Sequence, residues 1–247
     1  MPKETKQEEL AVYEQVFEID ENQIKRGIWK HSKSGNFEEF LKFLSYKPIL
    51  SVQLKCKPCC FSSADLFKPD LEGKTAIHHI LMNAHTELLD YIVREFGELG
   101  LTFCDLMPLE GNNALHLALS ASGFGKYRAR CVECFKLVVN FENERVAKAE
   151  AMSLEDNNVL DLLEVDRLGR TVYHIAAMNG LHDLLTAMLD GTLAKEASPL
   201  LMADIENNYP IHYAIDYRQP ESFRVLFSHE ATESILTQQD GEGNNLF

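Results

Sequence analysis

The chain has 247 residues, of which 45% are hydrophobic, enough for a sizeable core. Its 24 Lys and Arg against 38 Asp and Glu give a net charge of −14, which repels phosphate backbones and argues against nucleic acid as a partner. No apolar run approaches the roughly 18 residues of a transmembrane helix, and the charged N-terminal residues lack the apolar core of a secretory signal. With six unevenly spaced cysteines, typical of reduced thiols, the sequence predicts a protein of the cytosol or nucleus without membrane insertion.

The chain opens with a flanking segment over residues 1–27. Residues 28–44 carry apolar side chains at helical spacing on both sides of Gly35, which predicts a degenerate two-helix unit that caps the N-terminal end of the fold. Trp29 is expected to pack in this cap. An irregular stretch, 45–67, links the cap to the next unit.

A short motif recurs along the rest of the chain. The segment from Asp70 to His78, DLEGKTAIH, returns as DRLGRTVYH from Asp166 and as DIENNYPIH from Asp204. A fourth copy runs from Gly111 to His116, and a fifth opens at Asp240 and continues to Phe247. After the copies come apolar residues at the i, i+3, i+4, i+7 spacing of two successive buried helix faces.

These copies resemble the ankyrin repeat, whose T-P-L-H-x-A motif lies in a unit of about 33 residues made of a turn and two helices. The resemblance implies an all-α fold, an ankyrin-repeat solenoid of stacked helix-turn-helix units over residues 28–247. Its repeats would start near 70, 108, 166 and 204, with a truncated repeat from 240. Gly180 fits the sharp corner between the two helices of a unit, whereas Ala84 and Arg218 at the same position predict weaker corners.

The spacing of the copies is uneven. Asp70 and Asp166 are 96 residues apart (166 − 70) for two repeats, whereas Asp166 and Asp204 are 38 apart (204 − 166). Extra chain is therefore expected in the middle unit, at 123–131 and at 140–164. The sequence SLED from Ser153 is a capping signature before apolar residues 159–163, which predicts a short additional helix there.

Histidine and cysteine are the candidate metal ligands. The resemblance implies a structural role for the histidine of each motif copy, in which the ring bonds locally to the motif threonine and ties one turn to the next: His78, His116, His174 and His212. Two C-x-x-C pairs, Cys56 with Cys59 and Cys131 with Cys134, leave a four-cysteine zinc site as an alternative. Because Cys134 is expected to face the core, we predict no metal and no cofactor.

The resemblance also implies a concave binding groove lined by the turns and the first helices. The expected groove residues lie one, four and five positions after each motif histidine: His79, Met82, Asn83, Leu117, Ser120, Ala121, Ile175, Met178, Asn179, Tyr213, Asp216 and Tyr217. The expected turn tips include Leu71, Lys74, Arg167, Leu168, Arg170 and Asn208.

The functional prediction follows from this groove. No nucleophile elbow, kinase signature or phosphate-binding loop is recognisable, so we expect no enzymatic activity. The sequence predicts a protein–protein interaction scaffold or adaptor, within a longer protein, whose protein partners have a basic surface that matches the acidic chain. The alternative is a regulatory ankyrin domain of an ion channel or enzyme whose pore or catalytic domain lies beyond residue 247.

Overall fold

A computed structural model describes residues 21–42, 66, 68–97, 101–106, 111–152, 160–191, 193 and 199–234. These residues form α-helices, short 3-10 helices and turns and contain no β-strand, which confirms the all-α class for this part of the chain. The start of the flanking segment, most of 45–67 with Cys56 and Cys59, residues 153–159 and the fifth motif copy from Asp240 lie outside the described residues.

Ten α-helices are present in the described ranges. They are α1 (Glu21–Ser34), α2 (37–42), α3 (Ala76–Met82), α4 (Thr86–Phe96), α5 (Ala114–Leu119), α6 (Arg128–Ala151), α7 (Val172–Met178), α8 (His182–Leu189), α9 (Pro210–Asp216) and α10 (Pro220–Phe227). Single-turn 3-10 helices lie at Phe103–Asp105, Pro199–Leu201 and Glu230–Ser234. None of the described helices combines the length and the apolar character that a bilayer crossing requires.

The helices come in pairs joined by sharp corners. Gly180 closes the corner between α7 and α8 with φ +69°, a left-handed conformation that favours glycine. Ala84 (φ +52°) and Arg218 (φ +54°) adopt the same conformation between α3 and α4 and between α9 and α10. The predicted corners are therefore present, and two of them are held by residues whose Cβ makes the conformation unfavourable.

The paired helices stack in two layers. The first helices α1, α3, α5, α7 and α9 form a row in which each contacts the next, and each first helix from α3 onwards packs against its own second helix. In the second layer α4 contacts α6 and α8 contacts α10. Apolar side chains between the layers are fully buried, among them Ile77, Leu89, Leu115, Phe135, Tyr173 and Leu185. Their removal from water is the main stabilising contribution to the stack.

The N-terminal pair continues this arrangement. α1 packs on α3, the indole N–H of Trp29 donates to the carbonyl of Lys68 at 3.2 Å, and Trp29 packs half-buried against the core. At the corner, His85 Nε2 lies 3.1 Å from the carbonyl oxygen of Lys33. α1 is thus bonded to the chain that follows it at Trp29 and at Lys33.

The extra chain of the middle unit lengthens a helix. α6 continues without a break for 24 residues to Ala151, because the segment contains no glycine or proline. The additional helix expected over 159–163 is wrong for its described part: residues 160–163 form a turn in which Asp161 Oδ1 accepts from the Leu163 N–H at 2.7 Å. Late in α6, the buried Glu142 bonds Arg145 Nε at 2.7 Å and accepts from the Phe103 N–H, which fixes the preceding loop to the helix.

Candidate protein-binding surface

Turns with the same hydrogen-bond pattern precede α3, α7 and α9. In each, an aspartate Oδ1 accepts backbone N–H groups from the second and fourth residues after it, at 2.8–2.9 Å: Asp70, Asp166 and Asp204. The third residue after the aspartate has positive φ, +78° at Gly73, +76° at Gly169 and +62° at Asn207. Repetition of the aspartate and of the left-handed residue therefore gives the same turn three times.

The turns contact one another through their main chains. The Ile205 N–H donates to the carbonyl of Leu168 at 3.0 Å. A Cβ added to Gly169 would lie 2.9 Å from the Ile205 nitrogen, and one added to Gly111 would lie 2.8 Å from the Arg167 nitrogen. Glycine is required at these positions because the next turn approaches too closely for a side chain.

The motif histidines bond to their own turns, as predicted. Nδ1 of His78, His174 and His212 accepts the backbone N–H of the third residue before it, at 3.1, 3.0 and 3.0 Å. The proton of His174 is therefore on Nε2, which donates to the carbonyl of Asn208 in the following turn at 3.1 Å. Burial lowers the pKa of His174 to about 4, so the ring is neutral at physiological pH.

His116 differs because asparagine replaces the motif threonine. Its Nδ1 lies 2.7 Å from Asn113 Oδ1, and its Nε2 lies 2.9 Å from the carbonyl oxygen of Arg170. The Asn113 amide in turn donates to Glu164. Burial lowers the pKa of His116, which opposes the effect of the nearby carboxylates. We number the helix pairs α3–α4, α5–α6, α7–α8 and α9–α10 as the first to fourth hairpins, and the turn before each pair by the same number. Both bonds to residues after 160 connect the second hairpin to the third, across the extra chain between them.

Some expected groove residues are buried. His79 is 5% exposed because its Nε2 contacts Asp70 Oδ2 at 2.9 Å, within its own turn. Ile175 is 6% exposed and Leu117 is 3% exposed, and both belong to the apolar core. The side chain directly after the motif histidine is therefore buried in α3, α5 and α7, where the groove prediction places it at the surface.

The remaining groove residues reach the surface to different extents. Met82, Asn83, Met178, Asn179 and Tyr213 are half-buried, whereas Ser120, Asp216 and Tyr217 are exposed. The Asn179 amide donates to Ser122 Oγ at 2.8 Å, so this side chain joins the third hairpin to the second.

The predicted turn tips divide in the same way. Leu71 and Arg167 are exposed. Lys74 pairs with Glu72 at 2.9 Å, Arg170 pairs with Asp166 at 2.7 Å, and the half-buried Asn208 accepts from His174. The charged groups of Lys74 and Arg170 are therefore paired within their own turns.

The third and fourth hairpins carry a connected aromatic and apolar surface. Tyr213 donates its hydroxyl hydrogen to Asp204 Oδ2 at 2.8 Å, and its ring meets His174 edge to face at 5.5 Å. Burial, together with the bond to Asp204, raises the pKa of Tyr213. Tyr217 stacks on Tyr213 with ring centres 6.1 Å apart and planes 6° apart. We call Leu168, Ile205, Tyr213, Asp216 and Tyr217 the inner surface.

Ile205 belongs to the inner surface but was missing from the predicted tips. It is 68% exposed, beside Leu168 at 46%. It occupies the position directly after the motif aspartate, where Leu71 stands in the first copy. An alignment of the three turns on their aspartates would have identified it.

The described cysteines of the zinc alternative are buried. Cys131 and Cys134 are 0% exposed on α6, as expected for Cys134. Burial raises the pKa of Cys131 to about 11 and that of Cys134 to about 12, which disfavours the thiolate that zinc binds. Within the described ranges, no group of three or more His, Cys, Asp and Glu side chains could hold a metal ion.

No family model matches this chain, and none of the curated proteins matches it either.

Proposed function

We propose that this chain is an ankyrin-repeat solenoid and that it acts as a non-catalytic protein–protein interaction scaffold. The identical aspartate turns, the histidines bonded to their own turns and the two-layer stack of helix pairs all support a repeat architecture. A stack of this kind presents its turns and first helices as one extended surface for a partner.

The observation that carries this proposal is that the inner surface is exposed and that its side chains and turns are bonded to one another. Tyr217 is 54% exposed and rests on Tyr213, which is fixed by its bond to Asp204. Ile205 is held by a main-chain bond to the neighbouring turn. Aromatic and apolar side chains that are already ordered before binding lose little conformational entropy in a complex, so they are favoured at the centres of interfaces.

The charges at this surface indicate the partner. Glu206 and Asp216 are exposed beside the apolar residues, and the chain as a whole has a net charge of −14. Such a field speeds association with basic proteins and disfavours nucleic acid. We therefore propose a protein partner with a basic surface.

Binding measurements on surface variants test the proposal. A partner captured with the full chain would be purified and titrated against Ile205→Ser/Tyr217→Ala, with Phe227→Ala as the matched control, because Phe227 is 44% exposed on α10 in the second layer. Tyr213 is left unchanged since its hydroxyl holds the fourth turn. We expect a loss of about tenfold or more for the double variant and little change for the control.

Two results would contradict the proposal. If the double variant bound every specific partner as tightly as the original chain, the inner surface would not be the binding site. If no protein were captured in a saturable manner, the scaffold function itself would be wrong.

A further inference from the structure

The turn that precedes α6 is basic although the chain as a whole is acidic. Lys126, Arg128 and Arg130 are exposed within a few residues of one another, and Phe124 among them is 68% exposed. The main chain holds this phenylalanine in place, because its N–H donates to the Ala121 carbonyl at 3.1 Å and its carbonyl accepts from Tyr127 at 2.8 Å. We call residues 123–130 the basic turn.

The cations of the basic turn are not neutralised within the described part of the chain. Lys126, Arg128 and Arg130 form no ion pair there, whereas Arg94 and Arg224 each bind a carboxylate of their own helix, at 2.8 and 3.0 Å. Lys126 Nζ and Arg130 Cζ instead lie 4.6 and 5.7 Å from the centre of the Tyr127 ring. Three positive charges thus remain available to an anionic group.

Their position also opposes the stability of α6. The helix begins at Arg128, has no acidic residue in its first turn, and receives no side-chain hydrogen bond from Tyr127 at its N-cap. The N-terminus of a helix carries partial positive charge, so cations there are unfavourable and carboxylates are favourable. Residues that violate a local rule in this way are expected where a function requires them.

A cavity opens beside the basic turn. It has a volume of about 370 Å³, and Arg130 contributes to its wall together with Gly35, Ala84 and the first residues of α4. Two exposed carboxylates lie near the cations of the basic turn. Glu133 is one turn further along α6, and Glu87 lies at the cavity wall. The cavity is large enough to receive a side chain of a bound segment.

We propose that the basic turn is a second docking surface, separate from the inner surface, and that it binds an acidic protein segment whose apolar side chain packs on Phe124. The three cations would pair with Asp and Glu of that segment, and the positive end of α6 would add to their attraction. A protein segment fits better than a bilayer because one exposed phenylalanine gives only a weak membrane anchor.

The proposal is tested with the full chain and two labelled peptides. One alternates glutamate with leucine and phenylalanine, the other has lysine in place of every glutamate, and binding is followed by fluorescence anisotropy. The variants are Arg128→Glu/Arg130→Glu and Phe124→Ser. The control is Arg94→Glu/Arg224→Glu, which changes the net charge by the same amount at exposed sites on α4 and α10.

We expect the acidic peptide to bind at the basic turn, with affinity that falls as salt is raised. Any binding of the lysine peptide should be unaffected by the basic-turn variants. The Arg128→Glu/Arg130→Glu variant should lose about tenfold or more, Phe124→Ser should lose several-fold, and the control should change little. The same charge reversal should raise the melting temperature, because it places carboxylates in the first turn of α6. Phe124→Ser provides a folded variant in any case, since the side chain is mostly exposed.

Several results would overturn the proposal. The acidic peptide could fail to bind, could bind Arg128→Glu/Arg130→Glu and Phe124→Ser as tightly as the original chain, or could lose as much affinity with the control, which would indicate general electrostatics. Preferential binding of phosphatidylserine vesicles or of an oligonucleotide at the same residues would assign the surface to another class of partner. None of these results bears on the inner surface, which is tested by Ile205→Ser/Tyr217→Ala.

Discussion

Replacement of Gly169 by alanine should separate the third and fourth turns. Gly169 has φ +76°, and an added Cβ would lie 2.9 Å from the Ile205 nitrogen and 3.2 Å from the Asp204 carbonyl carbon. These are main-chain atoms, which cannot rotate away as the end of a side chain could. The fourth turn must therefore move, at the expense of the hydrogen bond from Ile205 to Leu168.

Gly73 provides the matched control for this substitution. Its φ of +78° is nearly the same, but a Cβ added there meets no atom within 4 Å. Alanine at Gly73 should cost only the left-handed conformation, about 1–2 kcal/mol, less about 0.4–1 kcal/mol for the lower entropy of the unfolded chain. At Gly169 the overlap adds about 1–3 kcal/mol and the lost hydrogen bond about 1 kcal/mol.

Urea unfolding of the two variants measures the difference. We expect Gly169→Ala to reduce the free energy of unfolding by about 2 kcal/mol or more beyond Gly73→Ala, with similar m-values. Equal losses in the two variants, within about 0.5 kcal/mol, would refute the reasoning, because the contact between the turns would then contribute nothing.

Arg218→Gly should stabilise the fold by about 0.5–1 kcal/mol, since it relieves a φ of +54°, and a higher urea midpoint would show this. Acidification should destabilise the protein by up to about 3 kcal/mol through His174, because the unfolded imidazole binds its proton near pH 6.5 and the buried ring only near 4. His174→Gln should flatten that part of a pH–stability curve. Cys131 and Cys134 should react with a thiol reagent at about pH 8 far more slowly in the folded than in the unfolded protein. Because their pKa values rise from 9.0 to about 11 and about 12, stability should also fall above pH 9, where only the unfolded thiols ionise.

The helices of the motif copies could be predicted from the sequence because apolar periodicity reports which face is buried. Val172–Met178 and His182–Leu189 are helices on either side of Gly180, where the sequence predicts two helices and a corner. The helix content of the extra chain could not be predicted in this way. The SLED signature favours a new helix. Instead, α6 continues to Ala151 because no glycine or proline interrupts it. Further along, the Asp161 side chain stabilises a turn.

The surface residues could be predicted only in part, since counting from the motif histidine gives a direction but not a bonding partner. His79 faces away from solvent because the Asp70 carboxylate accepts from its Nε2–H across nine residues, a pairing that periodicity does not reveal. Tyr213 stands at the equivalent position and reaches further, so its hydroxyl meets Asp204 while its ring supports Tyr217. The repeat pattern predicts the same exposure for every residue directly after a motif histidine, whereas the length and polarity of each side chain decide its actual exposure.

The bonds from His116 and His174 to the turns that follow them give this part of the stack a polarity. His174 Nε2 bonds the carbonyl of Asn208, and His116 Nε2 bonds the carbonyl of Arg170. In both bonds the ring belongs to the earlier turn and the carbonyl to the later one. Unfolding from the C-terminal side would leave a buried N–H without an acceptor, whereas unfolding from the N-terminal side would leave a carbonyl that water can reach. The stack should therefore fray more easily at the N-terminal side of a given junction, and truncations from the two ends should differ in their effect on the hairpins that remain.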